Sequence, residues 1–212
     1  MKTAIIGLGN IGTRLAENLA RGGAPVIVAA RTLSDAQAVA ARVGGKTEAM
    51  TVADALRTAD VVVLAIPFEP LKDFIAAHRT ALAGKIVVDP SNALAHDDKG
   101  GFVKTLPAHL SAAQVVAGLL PEGARLVKAF GTLAAPSLSA GAHRMPDRAV
   151  LFYAADDAEA GRAVARLIAA SGFDPVGVGG LDQAIRIEAF GDLHEVGKLG
   201  RLVTAAEARA VL

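Results

Sequence analysis

Three glycines near the start of the chain carry its clearest chemical signal. Gly7-Leu8-Gly9-Asn10-Ile11-Gly12 follows the short apolar run Thr3-Ala4-Ile5-Ile6 and leads into the segment Thr13 to Arg21. Between a strand and a helix, G-x-G-x-x-G spacing forms a cradle for the pyrophosphate of a dinucleotide. Gly7 permits the tight turn, Gly9 removes the Cβ that would hold phosphate oxygens off the backbone, and Gly12 lets the helix lie close on the strand. The helix N-terminus adds unpaired N–H donors and a partial positive charge. Leu8, Asn10 and Ile11 lie between the glycines and join them as candidate cofactor contacts. Ile11, Leu15 and Leu19 recur at helical spacing, with Gly12, Ala16 and Ala20 beside them as a thin packing seam.

The end of the second strand discriminates between dinucleotides. Pro25 to Ala30 is followed by Arg31-Thr32-Leu33-Ser34, with no acid before Asp35. A carboxylate in this place accepts hydrogen bonds from a ribose 2′-OH, whereas an arginine attracts a 2′-phosphate with its planar fork. Arg31, assisted by the hydroxyls of Thr32 and Ser34, therefore points to NADP(H). Ala65-Ile66-Pro67 and Asn92 follow the fourth and fifth strands, at the carboxyl ends where an open parallel sheet takes its ligand. Asn92 either holds the nicotinamide ribose or carboxamide, or serves as an ordinary turn former after Pro90-Ser91.

Composition narrows the partners. Among 212 residues, 22 Lys and Arg offset 21 Asp and Glu, which gives no reason to expect nucleic acid or an anionic membrane. The chain has no Trp, against base stacking, and no Cys, which excludes disulfides and thiolate chemistry. The longest apolar run, Val61 to Phe68, is too short to span a bilayer and contains Pro67. With no cleavage-type leader, a cytoplasmic protein acting on a small redox substrate is expected. His78, His96, His109, His143 and His194 lack metal-ligand spacing, so no metal site is expected, and no residue stands out as catalytic.

Short β-branched runs alternating with Ala-rich stretches predict an α/β Rossmann fold, a doubly wound parallel sheet with a small C-terminal α/β lobe. The pattern places strands at 25–30, 47–50, 60–66, 85–89, 124–130, 148–154 and 175–178. The run at 60–66 is continuously apolar and therefore central. Ser34 and Gln37 have capping-box spacing for a helix start. Residues 94–114 read as a loop and a short helix. Residues 180–212 have a helical period that would align Arg186, Phe190, His194 and Lys198 on one stripe, a solvated or intersubunit face; Gly191, Gly197 and Gly200 mark close packing or breaks. The division expected is residues 1–120 for the nucleotide and 121–212 for substrate and dimerisation.

Taken together, Gly7 to Gly12, Ala30-Arg31, Ala65 to Pro67, Asp89-Pro-Ser-Asn92, Lys128-Ala-Phe-Gly-Thr132, Val178-Gly-Gly-Leu181, Arg186 and Glu188 resemble the NADPH-dependent oxidoreductases of coenzyme F420. The membrane ferric reductases of the STEAP group carry a related domain. The resemblance covers nearly the whole chain. It implies a homodimer in which the deazaflavin, or a flavin-type acceptor, stacks on the nicotinamide between the lobes. One position departs, since Gly131 stands where the family usually has Asn. Two other readings stay open. The opening half also resembles pyrroline-carboxylate reductases, which would make the substrate a small imine or carbonyl. A dinucleotide-binding sensor without turnover is the third.

Overall fold

Ten short strands and ten helices alternate along the chain, and the computed structural model describes all of residues 1–212. The first half reads β1 (Thr3–Ile6), α1 (Asn10–Arg21), β2 (Val26–Ala29), α2 (Leu33–Val43), β3 (Thr47–Ala49), α3 (Val52–Thr58), β4 (Val61–Leu64), α4 (Phe68–Ala77), α5 (Arg79–Leu82) and β5 (Ile86–Asp89). The second continues with β6 (Leu94–His96), β7 (Phe102–Lys104), α6 (Ala112–Leu119), β8 (Arg125–Ala129), α7 (Ala135–Ala140), β9 (Val150–Ala155), α8 (Ala158–Ala170), β10 (Asp174–Gly177), a single 3-10 turn, α9 (Ala184–Ile187) and α10 (Ala205–Arg209).

Eight strands form one sheet in the order β10-β9-β8-β5-β4-β1-β2-β3. Every pairing is parallel except β8 with β9. The order β3-β2-β1-β4-β5-β8 is that of a doubly wound dinucleotide fold, with its switch point between β1 and β4. Alternation along each strand divides the core in two. Ala4, Ile6, Val62, Leu64 and Val87 face α3 to α6 and α9, while Ile5, Val61, Val63, Ile86 and Val88 face α1, α7 and α8. The central place of β4 explains why it is apolar on both sides. Burying Leu15 and Leu19 completely on α1 contributes about 1.5–3 kcal/mol each.

The sheet continues without interruption past residue 120, because β8 pairs with β5 from Ile86–Arg125 to Asp89–Lys128. The segment after it also packs back on the first helix. Buried Asn18 donates to the Leu138 carbonyl at 2.8 Å, and the His143 ring meets the Asn18 carbonyl at 2.9 Å.

Three local expectations are corrected. Helix α2 starts at Leu33, capped by Thr32 with Asp35 three residues on, instead of by Ser34 with Gln37. The stretch from 94 contains a hairpin, β6 against β7, before α6, which carries its own Ser111–Gln114 capping box. The tail breaks and packs closely where its glycines mark it, so the stripe of side chains read along it is not formed. After α9 the chain turns repeatedly, because a Cβ at Gly197 would fall on the Gly191 carbonyl and one at Gly191 on that of Arg186. The expected stripe is thereby dispersed. Arg186 pairs with Asp192 at 2.9 Å, Phe190 adopts φ +70° and is 49% exposed, and His194 is buried.

His194 holds this tail to the sheet. Its Nε2 donates to the Gly131 carbonyl at 3.0 Å and its Nδ1 accepts from the Val196 N–H at 3.0 Å, which defines a neutral ring. Burial above all holds its pKa below the ordinary 6.5, against the opposing pull of the Gly131 carbonyl. The unfolded chain takes up that proton near pH 6.5 and the folded protein only at lower pH, so stability falls as pH drops from 7 through 6.5. His194→Gln keeps a donor and an acceptor but removes the titration. The difference between urea midpoints at pH 7.5 and 5.5 should be smaller in the variant than in the parent. Equal differences would assign the pH dependence elsewhere.

Candidate functional site

The carboxyl ends of β1, β2, β4, β5 and β8 open on one side of the sheet, and the turn after β1 is the tightest element there. Gly7 has φ +93°, a conformation side chains avoid, and a Cβ on it would stand 2.5 Å from the Ala65 carbonyl oxygen. A Cβ at Gly12 would fall on the Gly7 carbonyl oxygen, so α1 touches the β1 turn with no side chain between them. Gly9 is different. A Cβ there meets nothing within 4 Å, so the protein's own packing does not require glycine at this place. An open space directly over the backbone is what a phosphate group needs.

Helix α1 is unfinished at that same end. Gly9 is its N-cap, no side chain caps it, and its first turn contains no acid. The Thr13 N–H is the first to find a partner, the Gly9 carbonyl at 3.1 Å, which leaves the N–H groups of Asn10, Ile11 and Gly12 free. Thr13 turns its hydroxyl to the Leu8 carbonyl at 2.9 Å and fixes the loop from behind. The cradle therefore fits a pyrophosphate in shape and charge.

At the end of β2, Arg31 is exposed and takes part in no ion pair or hydrogen bond, so its guanidinium is free to meet an anion. Thr32 is committed to α2. It accepts from the Asp35 N–H at 3.2 Å and donates to the Asp35 carboxylate at 2.6 Å, with the Ser34 hydroxyl 3.0 Å away. Ala65 backs the Gly7 turn, the Ile66 side chain stands beside it, and Pro67 caps α4. Asn92 bridges three segments. Its amide donates to the Gly131 carbonyl at 2.9 Å and its carbonyl accepts from the Ala189 N–H at 2.7 Å, leaving one amide N–H uncommitted. Gly131 has no room for a larger residue on this backbone, since its Cβ would sit 2.6 Å from the Pro90 carbonyl oxygen.

Beneath this loop lies a charged cluster to which sequence reasoning assigned no role. Lys128 on β8 is 1% exposed and donates to the Asp89 carboxylate at the end of β5 at 2.8 Å. Its ammonium also lies 3.3 Å from Glu188 and donates to the Ser91 carbonyl. Glu188 in turn accepts the Ala112 and Ala113 N–H groups at 2.8 and 2.9 Å, holding the start of α6. Asp89 also accepts from the Ser91 N–H at 2.7 Å. Burial opposes the charge on Lys128, but the Asp89 and Glu188 carboxylates outweigh it and hold its pKa above the ordinary lysine value. The signal in the sequence was one lysine inside an apolar strand and one aspartate closing another.

No helix is long and apolar enough to cross a membrane, and no cluster of three or more His, Cys, Asp or Glu side chains is placed to hold a metal ion. Residues 2–93 match the family described as NADP oxidoreductase coenzyme F420-dependent. Over 188 residues the chain is 30% identical to metalloreductase STEAP3 of Rattus norvegicus, a match that takes in 89% of this chain and 36% of the rat protein. The chain thus spans about a third of that relative's length. Among solved structures, a hypothetical protein from Sinorhizobium meliloti is similar with TM-score 0.83 and 32% identity, covering 96% of this chain and 95% of that one. A protein assigned as an F420-dependent NADP reductase from Arthrobacter sp. FB24 follows with TM-score 0.73 and 25% identity, covering 87% of each chain. The family match thus lies on the part of the chain that holds the glycine turn, Arg31, Ala65 to Pro67 and Asn92.

Proposed function

We propose that this protein transfers a hydride between NADP(H) and a planar deazaflavin- or flavin-type acceptor, with coenzyme F420 the first candidate. One observation carries the reading: three free N–H groups at the start of α1, beside an uncovered Gly9, share one sheet edge with the unpaired guanidinium of Arg31. In this reading Gly7 to Gly12 receive the pyrophosphate and Arg31 the 2′-phosphate. Thr32 and Ser34 shape the Arg31 turn. Ala65, Ile66, Pro67 and Asn92 line the nicotinamide half, with Asn92 offering its one uncommitted N–H. When bound, NADPH supplies a hydride from C4 of its nicotinamide ring. Residues 121–212 complete the acceptor side of the cleft and the face of a homodimer.

The titratable groups around the cleft favour an acceptor that needs no proton from the protein. Lys128 is enclosed by its two carboxylates and the Ser91 carbonyl, and both ring nitrogens of His194 are engaged with the backbone. Reduction of an imine or carbonyl wants a proton donor near the nicotinamide. Hydride transfer between stacked rings wants chiefly orientation. The decisive experiment mixes the protein with NADPH and, separately, coenzyme F420, FMN, ferric citrate and a cyclic imine, and follows absorbance at 340 nm. Oxidation is expected with the deazaflavin or flavin; turnover with the imine alone would refute the proposal, and tight binding without any turnover would leave a sensor.

Two sets of variants test the nucleotide half. Arg31→Asp should raise the NADPH dissociation constant by more than about tenfold, because a repelled phosphate replaces an attracted one; unchanged affinity would remove Arg31 from the site. Gly9→Val should fold with a melting temperature close to the parent and bind neither NADPH nor NADP+. Gly12→Val should be markedly destabilised, since its side chain must enter the Gly7 carbonyl. A Gly9→Val protein that still binds would move the pyrophosphate elsewhere.

A further inference from the structure

We infer that the buried Asp89–Lys128–Glu188 cluster tunes the bound nucleotide toward hydride donation, by favouring the oxidised, positively charged nicotinamide over the reduced, neutral one. The inference rests on the nucleotide reading above and concerns the direction of the reaction at that same site. Two carboxylates and one ammonium leave a net charge of −1, and all three side chains are at most 3% exposed. The two N–H groups of α6 that meet Glu188 offset part of it, about half a unit charge at a helix N-terminus. No second cation completes the balance. Arg186, two residues before Glu188, is turned to Asp192, and His194 is held neutral. Glu195 brings no cation either: it accepts from the Ala134 N–H at 2.8 Å and from the Ser137 hydroxyl.

The place of this charge gives it a role. Asp89 closes β5, Lys128 lies on β8, and the ammonium donates to the carbonyl of Ser91, the residue before Asn92. In a doubly wound sheet the adenosine half of a dinucleotide lies on the β1–β3 side, where Arg31 stands, and the other half on the β4, β5 and β8 side. In the transfer itself the C4–H bond breaks and its electron pair leaves with the hydrogen as a hydride to the acceptor. The dihydropyridine ring, neutral before the step, becomes a pyridinium carrying one positive charge, with no proton released. A fixed negative charge set in protein rather than in water is weakly screened and stabilises that product. A protein shifts an equilibrium only by its differential affinity for the two states, so the effect must appear in the two dissociation constants.

The test titrates NADP+ and NADPH separately into the parent, Glu188→Gln, Asp89→Asn and the double variant Lys128→Gln/Glu188→Gln, with circular dichroism confirming the fold of each. Removing one carboxylate charge should raise the ratio Kd(NADP+)/Kd(NADPH) about fivefold, as expected for a partly screened unit charge. The double variant restores the net charge of −1 and should return the ratio to within about twofold of the parent, although it is the larger structural change. A merely structural role would move both dissociation constants together in every variant and leave the ratio fixed, which overturns the inference. Should the single variants fail to fold, the parent decides: NADP+ bound at least as tightly as NADPH is expected, and a tenfold preference for NADPH overturns the inference. If the parent binds neither nucleotide, the function proposed above falls, and this inference with it.

Discussion

Helix α1 rests on the β1 turn with nothing but backbone at the contact, and much of the cleft follows from that. A Cβ at Gly12 would enter the Gly7 carbonyl, and one at Gly7 would crowd Ala65. The close approach seats the start of α1 at the ends of β1 and β4, with Ala65 against both Gly7 and Gly12 and Ile66 beside Gly7. It also leaves α1 without an N-cap side chain, an omission that typically costs a helix about 0.5–2 kcal/mol. Burial of Leu15 and Leu19 more than offsets the loss. Helices α4, α5, α7 and α9 also lack a side-chain cap, so what sets α1 apart is the uncovered backbone of Gly9 at its open end, which suits an anion.

The other side of the cleft is held by a different kind of force. Loops after β5 and β8, the start of α6 and the segment after α9 meet around Lys128, Asn92 and the Gly131 carbonyl, which accepts from both Asn92 and His194. These are long-range polar contacts between residues 37 to 97 positions apart. Replacing a buried ion group with apolar side chains is often neutral or stabilising, while removing one partner commonly costs about 3–5 kcal/mol. The cluster as a whole therefore adds little to stability that a set of apolar side chains could not supply, although Lys128 alone cannot be lost without leaving two buried carboxylates unpaired. What an apolar side chain could not supply is a fixed orientation for four loops and a charge beneath the cleft.

That difference explains which parts were legible in the sequence. The strands of the sheet announce themselves as short β-branched runs, and the cradle, Arg31 and the break at Pro67 are read from neighbours a few residues apart. In the C-terminal tail the glycines rightly mark close packing and breaks, and only the stripe misleads, because the apolar residues keep a helical period across Gly191 and Gly197, where carbonyl groups approach closely. The hairpin at 94–104 has too few residues and too much polarity for a strand pattern to emerge. Glu188 and His194 look like ordinary surface residues of a helix until the fold turns them inward. The boundary placed at residue 120 lies inside a sheet that β8 continues, and only strand pairing makes that continuity visible.

The two halves of the site thus stand under unequal constraint. On the β1–β2 side, where the adenosine half is proposed to lie, Arg31 and Gly9 can be changed without disturbing a neighbour, whereas Gly7 and Gly12 cannot. On the β5–β8 side, Asn92, Gly131, Ala189 and His194 are linked through shared partners, and a change in one must be met by the others. Gly131 illustrates the coupling. Its missing side chain is not an empty contact with a substrate, because the space a Cβ would take already belongs to the Pro90 carbonyl. A larger residue there requires the Pro90–Asn92 loop to move, and Asn92 carries Ala189 and the tail with it. In the function proposed, acceptor preference is a property of how these loops settle against one another, with the charge beneath them weighting the bound nicotinamide toward its oxidised form.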